Sequence, residues 1–402
     1  MTLRTPLLPI LALLVGCPGS GDKDLSDDTG EPVGAPKEHC GDITADETWF
    51  ARDNPHTVTC TISVRDGATL TLEPGAQVQF ARGDYELRVA PEGAGGLMAE
   101  GTEDEPIRLF AVDETETWHS LGFFAGAAPA VLRYVEIDQA TTEPGHTAFA
   151  GGSIIVSGAE VTLDHVTITR AEECGMLLVD GGAISAESQS LVITGGEGWP
   201  VCAHAPLLET LPAVGSDYTG NGYDAVAVDY REFVIGTSTA WRDLEVPYLI
   251  TDRVEVCGPE DSPPTLTLEP GVDLIFVEDA YLAVGPRAEC AANLIAEGTT
   301  EAPITFMGED ATTGSWGGVL IAGHPNSPDS SLRHVELGYG GKDYWFFYPM
   351  LGALNFYGVG GSVIDSSVHD AACHGIDVRG EVTVDISGMS YAGNGCEDVR
   401  IQ

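Results

Sequence analysis

TLTLEPGAQVQFARGDYELRVAPEGAGGLMAEGT, residues 69–102, is the stretch whose reading decides the fold. Its parts return in the same order further along. TLTLEPG recurs at 265–271, LIF at 274–276 stands for VQF at 78–80, LAV at 282–284 for LRV at 87–89, and LIAEGT at 294–299 for LMAEGT at 97–102. Self-similarity on this scale sets the architecture before any local motif does. Within TLTLEPG, Thr and Leu alternate, so a strand there has one polar and one apolar face. Pro74-Gly75 and Pro270-Gly271 follow as turns, Pro fixing φ at one position and Gly supplying positive φ at the next.

Outward from that stretch, the copies match at both ends. The first opens on Trp49 and Asn54-Pro55-His56, passes Pro106-Ile107, Trp118 and LRYVE at 132–136, and closes on YTGNGYDAV at 218–226. The second opens on Trp241 and Val246-Pro247-Tyr248, passes Pro303-Ile304, Trp316 and LRHVE at 332–336, and closes on YAGNGCEDV at 391–399. Extra residues near 195–215 in the first copy read as an added strand or loop.

Short runs rich in Val, Ile, Leu and Thr, separated by Pro and Gly, leave an antiparallel sandwich or a parallel solenoid. Two-residue hairpin turns are few, Asp66-Gly67 being the exception. No long helical pattern supplies crossovers, so parallel pairing must come from coil stacked on coil. The expected fold is all-β, a parallel β-helix of two tandem copies. TLTLEPG, LIAEGT, Trp316-Gly317-Gly318 and Gly393-Asn394-Gly395 resemble the right-handed parallel β-helix repeat proteins of bacterial cell envelopes, over most of residues 47–402. That resemblance implies a right-handed solenoid. The family spans adhesin-like surface proteins, lipoproteins and, more distantly, polysaccharide lyases and hydrolases.

The 402 residues are 43% hydrophobic but only 7% aromatic, with 50 Gly, which suits many tight turns around small inward side chains. The formal net charge is −44, from 62 acidic and 18 basic residues, and the only lysines are Lys23, Lys37 and Lys342. Such a surface repels phosphate backbones, so nucleic acid is not an expected partner.

Residues 1–17 read as an export signal: Arg4, then an apolar run at 7–15 too short to span a bilayer. Leu14-Val15-Gly16-Cys17 resembles the lipobox of bacterial lipoproteins. The resemblance implies cleavage before Cys17, lipid on that thiol, and a membrane partner through the lipid. Pro18 in place of Asp matches the sorting pattern for passage to the outer membrane, facing the periplasm or the cell surface. Residues 18–39 read as a flexible acidic linker, 40–238 as the first copy and 239–402 as the second.

Eight cysteines remain, an even number in an exported chain, which points to disulfides. Stacked coils lie about 4.8 Å apart, inside the reach of a disulfide, so cysteines about one coil apart in sequence pair. The expected bridges are Cys40–Cys60, Cys174–Cys202, Cys257–Cys290 and Cys373–Cys396. Without a CxxC pair, a metal site is the lesser reading.

For catalysis, His369, Asp370, His374 and Asp377 gather two imidazoles and two carboxylates within nine residues, a set suited to acid–base work on a glycosidic bond. Cys373-His374-Gly375 resembles the Gly-His-Gly of polygalacturonases and Val399-Arg400-Ile401 their Arg-Ile-Lys, but the family's Asn-Thr-Asp and Asp-Asp elements are missing. Leu163-Asp164-His165 resembles part of the pectate-lyase Trp-Ile-Asp-His, without its Trp. No cofactor is expected, with calcium at Asp217, Asn221 and Asp224 as the one candidate; the Asn-Gly turn offers the plainer explanation. Trp118, Trp199 and Trp316 suit sugar stacking or core packing. The favoured reading is a non-catalytic outer-membrane β-helix for structural, adhesive or glycan contact, its partners polysaccharide or envelope proteins. The alternative is a polysaccharide lyase or glycoside hydrolase acting on acidic glycans.

Overall fold

The computed structural model describes residues 34–402 except 114, 141–150, 230, 343 and 346–348. The lipid-attachment candidate Cys17, the signal 1–17 and most of the segment 18–39 lie outside the described residues. Ala35–Gln402 forms one compact unit, and the first strand, Lys37–Ile43, starts ahead of Cys40.

Parallel strands on three lateral faces build it. In the first copy, Glu47–Trp49, Thr69–Leu72 and Gly95–Glu100 stack on one face. Residues 56–58, Gln77–Phe80 and Ile107–Ala111 stack on a second. Residues 62–64, Glu86–Val89 and Ser120–Phe124 stack on a third. The register puts Leu70 beside Leu97, Val78 beside Leu109 and Leu87 beside Leu121. All six are fully buried, while Thr69 and Thr71 stand half-exposed on the outer side. Each such aliphatic side chain contributes about 1.5–3 kcal/mol on burial, and the column repeats coil after coil. Among the described strands the only antiparallel pair is Tyr344–Trp345 with Pro349–Met350. Asp66-Gly67 has the positive φ values of a hairpin turn, 59° and 82°, yet the strands it joins, His56–Val64 and Thr69–Leu72, lie on adjacent faces. It turns a corner of the coil.

The two copies carry the same internal stacks. The Trp118 ring lies 3.9 Å from Phe80 at 7°, and the Trp316 ring 4.1 Å from Phe276 at 8°. Each indole N–H donates to a backbone carbonyl, Trp118 to Asp138 and Trp316 to Gly338, both at 2.8 Å. Both tryptophans are fully buried, so core packing is their role. The extra residues of the first copy form the strand Trp199–His204 and the 3-10 helix Ala205–Thr210.

The copies are not stacked face on equivalent face. The third face of the first copy continues through Gly152–Ser157, Cys174–Val179, Trp199–His204 and Val226–Asp229. Val226–Asp229 then pairs with Tyr248–Ile250, the counterpart of His56-Thr57-Val58 on the second face. The column runs on through Asp273–Phe276, Ile304–Gly308 and Val335–Gly338. The second copy is therefore turned by one face, about a third of a coil, relative to the first.

Four disulfides join Cys40 to Cys60, Cys174 to Cys202, Cys257 to Cys290 and Cys373 to Cys396, with Cα separations of 4.9, 5.8, 4.8 and 4.5 Å. These are the pairs that coil stacking selects.

Candidate functional site

The four residues of the 369–377 cluster fall on two faces. His369 ends the strand Ser367–His369 and Asp370 turns the corner at φ 51°. The His369 ring bridges two carboxylates, Asp370 Oδ2 at 2.9 Å from Nδ1 and Glu336 Oε1 at 3.1 Å from Nε2. His374 and Asp377 sit on the next strand, His374–Arg379. Asp377 points outward between the core residues Ile376 and Val378, yet it is fully buried. Arg400 donates to both of its oxygens, at 2.8 and 2.6 Å, and Arg379 adds a third hydrogen bond at 2.9 Å. These bonds raise Arg400 above its ordinary pKa. Both oxygens of Asp377 are thus bound by arginine, which suits holding the last coil rather than moving a proton.

Asp377 is buried as part of an outward column that runs on to Arg400. Ala283, Leu320, Asn355 and Asp377 follow one another in register, and all are fully buried. Met350 and Tyr357 pack on that outer side with Ala283 and Leu320 as a second small apolar cluster. Strand alternation turns these positions away from the core; the packing on their outer side makes them interior.

His374 is buried beside the Cys373–Cys396 bridge, and its Nδ1 has no hydrogen-bond partner among the described residues. Among the described residues, Cys373, His374 and Cys396 are the only trio of His, Cys or carboxylate groups close enough to share a metal, with donor atoms within 4.8 Å. The two sulfurs are bonded to each other, so neither is a thiolate, the form that ligates.

Asp164 belongs to an axial ladder. Glu100, Arg133, Asp164 and Gln189 occupy successive coils in register. Arg133 donates to Glu100 at 2.6 Å and to Asp164 at 3.0 Å, and Gln189 donates to Asp164 at 3.2 Å. Partial burial pushes the Asp164 carboxyl up, but the bonds from Arg133, His165 and Gln189 outweigh it and leave it below its ordinary range. His165 stacks on Tyr134 at 4.5 Å.

Asn221 is engaged by the turn it sits in. Its Oδ1 accepts from Gly196 N–H at 3.2 Å, and its amide donates to the carbonyls of Ile193 and Tyr218 at 2.9 and 3.0 Å. Its own backbone N–H reaches Asp224 Oδ1 at 2.7 Å. Asp217 accepts two bonds from Thr219, which lower its pKa. In the second copy Asn394 does the same work: Oδ1 accepts from Ala371 N–H at 3.1 Å and the amide reaches Val368 O. Gly-Asn-Gly is a device that ties each closing turn to the coil below it.

Two grooves lie on two different strand columns, both unmarked in the sequence. One, of about 470 Å³, follows the second face of the first copy. Phe110 lies along it, beside the ion pairs Arg108–Glu136 (2.6 Å) and Arg170–Asp138. The other, of about 380 Å³, opens where the copies meet. The half-exposed Trp199 ring stacks on Tyr223 at 4.9 Å and 16°, and Leu249, Ile275 and Met307 line the floor. The signal for this second groove lay in the repeat itself. Where the first copy has Thr57 and Gln79 facing out, the second has Leu249 and Ile275, visible as VQF becoming LIF.

No family model, curated protein or solved structure matches the chain.

Proposed function

We propose that the chain is a non-catalytic β-helix, held at the outer membrane by lipid on Cys17, whose lateral faces make structural or adhesive contact with glycan or envelope protein. The observation that carries this reading is Asp377, one of the two candidate carboxylates of the 369–377 cluster, buried and bound by Arg379 and Arg400. Its partner candidate Asp370 lies on another face, in contact with His369. What remains accessible is shape: parallel faces whose outward polar side chains repeat from coil to coil, as Glu100, Arg133, Asp164 and Gln189 do. A rival reading as a lyase or hydrolase keeps one supporting feature, His369 between Glu336 and Asp370.

The deciding assay incubates the protein with acidic and neutral polysaccharides, with and without Ca²⁺, and follows both retention on immobilised glycan and release of unsaturated or reducing ends. Retention without release is expected. Turnover that disappears in His374→Ala or His369→Ala would establish the rival. For the anchor, Cys17→Ser is expected to move the protein from the membrane pellet to the soluble fraction; an unchanged distribution would sink the lipid assignment.

A further inference from the structure

We infer that the groove at the junction of the copies binds a cationic saccharide, an oligosaccharide carrying free amino groups. This deepens the glycan-contact reading above and rests on it.

The groove is the open end of a longer feature. On the continuous column of strands, the outward residues Ile155, Leu177, Cys202, Ala227, Leu249, Ile275 and Met307 follow one another in register. The middle of that ladder is closed: Leu177, Cys202 and Ala227 are buried in their own small cluster, with Trp199 packed against it. Past Trp199 the ladder stays apolar but is no longer covered, and Leu249, Ile275 and Met307 are half-exposed. An apolar run on the outer side of a sheet in so acidic a chain is a surface suited to contact. It arises at the one place where the closing turn of the first copy meets the second face of the second copy. The counterparts Thr57 and Gln79 show that the coil itself does not demand apolar side chains there.

The rim names the chemistry of that occupant. Asp224, Asp273 and Glu309 line the groove, each exposed, and none of its described lining residues is basic. By contrast, the first-copy groove balances Glu136 and Asp138 with Arg108 and Arg170. Tyr223 is 57% exposed and backed by Trp199, so an aromatic face stands beside three carboxylates. An ammonium group gains from both, by charge pairing and by cation–π attraction, while ring C–H faces lie on Leu249, Ile275 and Met307. The coil spacing, about 4.8 Å, is close to the length of one pyranose ring, so successive sugars meet successive coils. Polyanions are excluded by the rim.

The stack of Trp199 on Tyr223 has a structural counterpart. Tyr223 N–H bonds Gly198 O as Cys396 N–H bonds Cys373 O, so the second copy staples with a disulfide what the first holds with aromatic rings. The test must separate a staple from a platform.

Titration calorimetry of the intact protein uses a β-1,4-linked glucosamine trisaccharide, its fully N-acetylated form and the matching glucose trisaccharide. Saturable one-to-one binding of the glucosamine form is expected, weakened about ten-fold or more by N-acetylation, in line with loss of a cation–π and charge contact. Asp273→Asn with Glu309→Gln, and separately Met307→Lys, should each weaken it about ten-fold as well. Met307 is half-exposed and lies outside the aromatic stack, so its variant leaves the staple intact. The control Glu103→Gln with Asp104→Asn removes the same charge from an exposed corner and should change nothing. Equal weakening in the control would reduce the effect to general attraction by a polyanion and overturn the inference. So would equal affinity for all three sugars, although the glycan-contact reading would then stand. Binding of polysaccharides elsewhere, with no glucosamine binding, would likewise sink only this inference. Absence of any glycan binding would sink both.

Discussion

Asp377 shows how far the environment of one side chain overrides its chemistry. A carboxylate in a fully buried position costs stability unless paired, and removing it strands two guanidinium groups. Asp377→Ala is expected to destabilise the protein by about 3–5 kcal/mol, read as a lowered thermal midpoint, while Asp370→Asn, at a half-exposed corner, stays within about 0.5 kcal/mol. A second sensitive point lies at the first coil. His39 and His56 face each other at 3.0 Å and stack around Trp49. Burial, then the neighbouring His56, lower the His39 pKa to about 4, and burial lowers that of His56. Groups that resist protonation when folded, and accept it below pH 6.5 when unfolded, stabilise fully above that pH. Stability should therefore fall as pH drops from 6.5 toward 4, first in the strand Lys37–Ile43. Hydrogen exchange of those amides at pH 7 and pH 4.5 measures it, and His39→Gln should flatten the dependence. In the second copy Tyr248 replaces His56, its hydroxyl donating to Arg242 O at 2.8 Å, so that coil has no such response.

At the level of coils and stacks, the paired cores make a matched experiment. Trp118→Ala and Trp316→Ala each remove a buried indole from the same setting, and each should cost about 3–5 kcal/mol. Urea midpoints of the two variants should agree within the error of the measurement; a mild effect at one site would mean that its coil collapses around the gap. Much of this level was legible in the sequence. Alternation in TLTL gave the inward and outward sides, and the separation of Cys257 from Cys290 gave a bridge once coils were assumed to stack. Other features were hidden for physical reasons. Asp377 and Asn355 alternate outward from the core, but Met350 and Tyr357, at either end of the strand that carries Asn355, pack on that side with Ala283 and Leu320 from the coils before it. The candidate set at 369–377 looked compact because neighbours in sequence were assumed to share a face, whereas a coil turns its corner at Asp370. The apolar floor of the junction groove was readable only by comparing copies position by position, which shows Gln79 exchanged for Ile275.

Across the whole chain, the surplus of acid governs behaviour in solution. A formal charge of −44 opposes the compact state by self-repulsion, which dissolved salt screens over about 10 Å at 0.1 M. Raising NaCl from 0.05 to about 0.5 M should therefore raise the thermal midpoint; a lower midpoint at high salt would mean that ion pairs such as Arg133 with Glu100 and Asp164 outweigh the repulsion. The offset between copies has a different outcome. Because Val226–Asp229 passes its column to the strand equivalent of another face, any surface patch inherited by both copies points along two bearings. A flat partner such as a sheet of peptidoglycan can touch one of them and not its twin, so duplication here adds no avidity toward a plane. It instead gives one stack of coils two separate sides, on which the copies present different side chains, as Gln79 and Ile275 do.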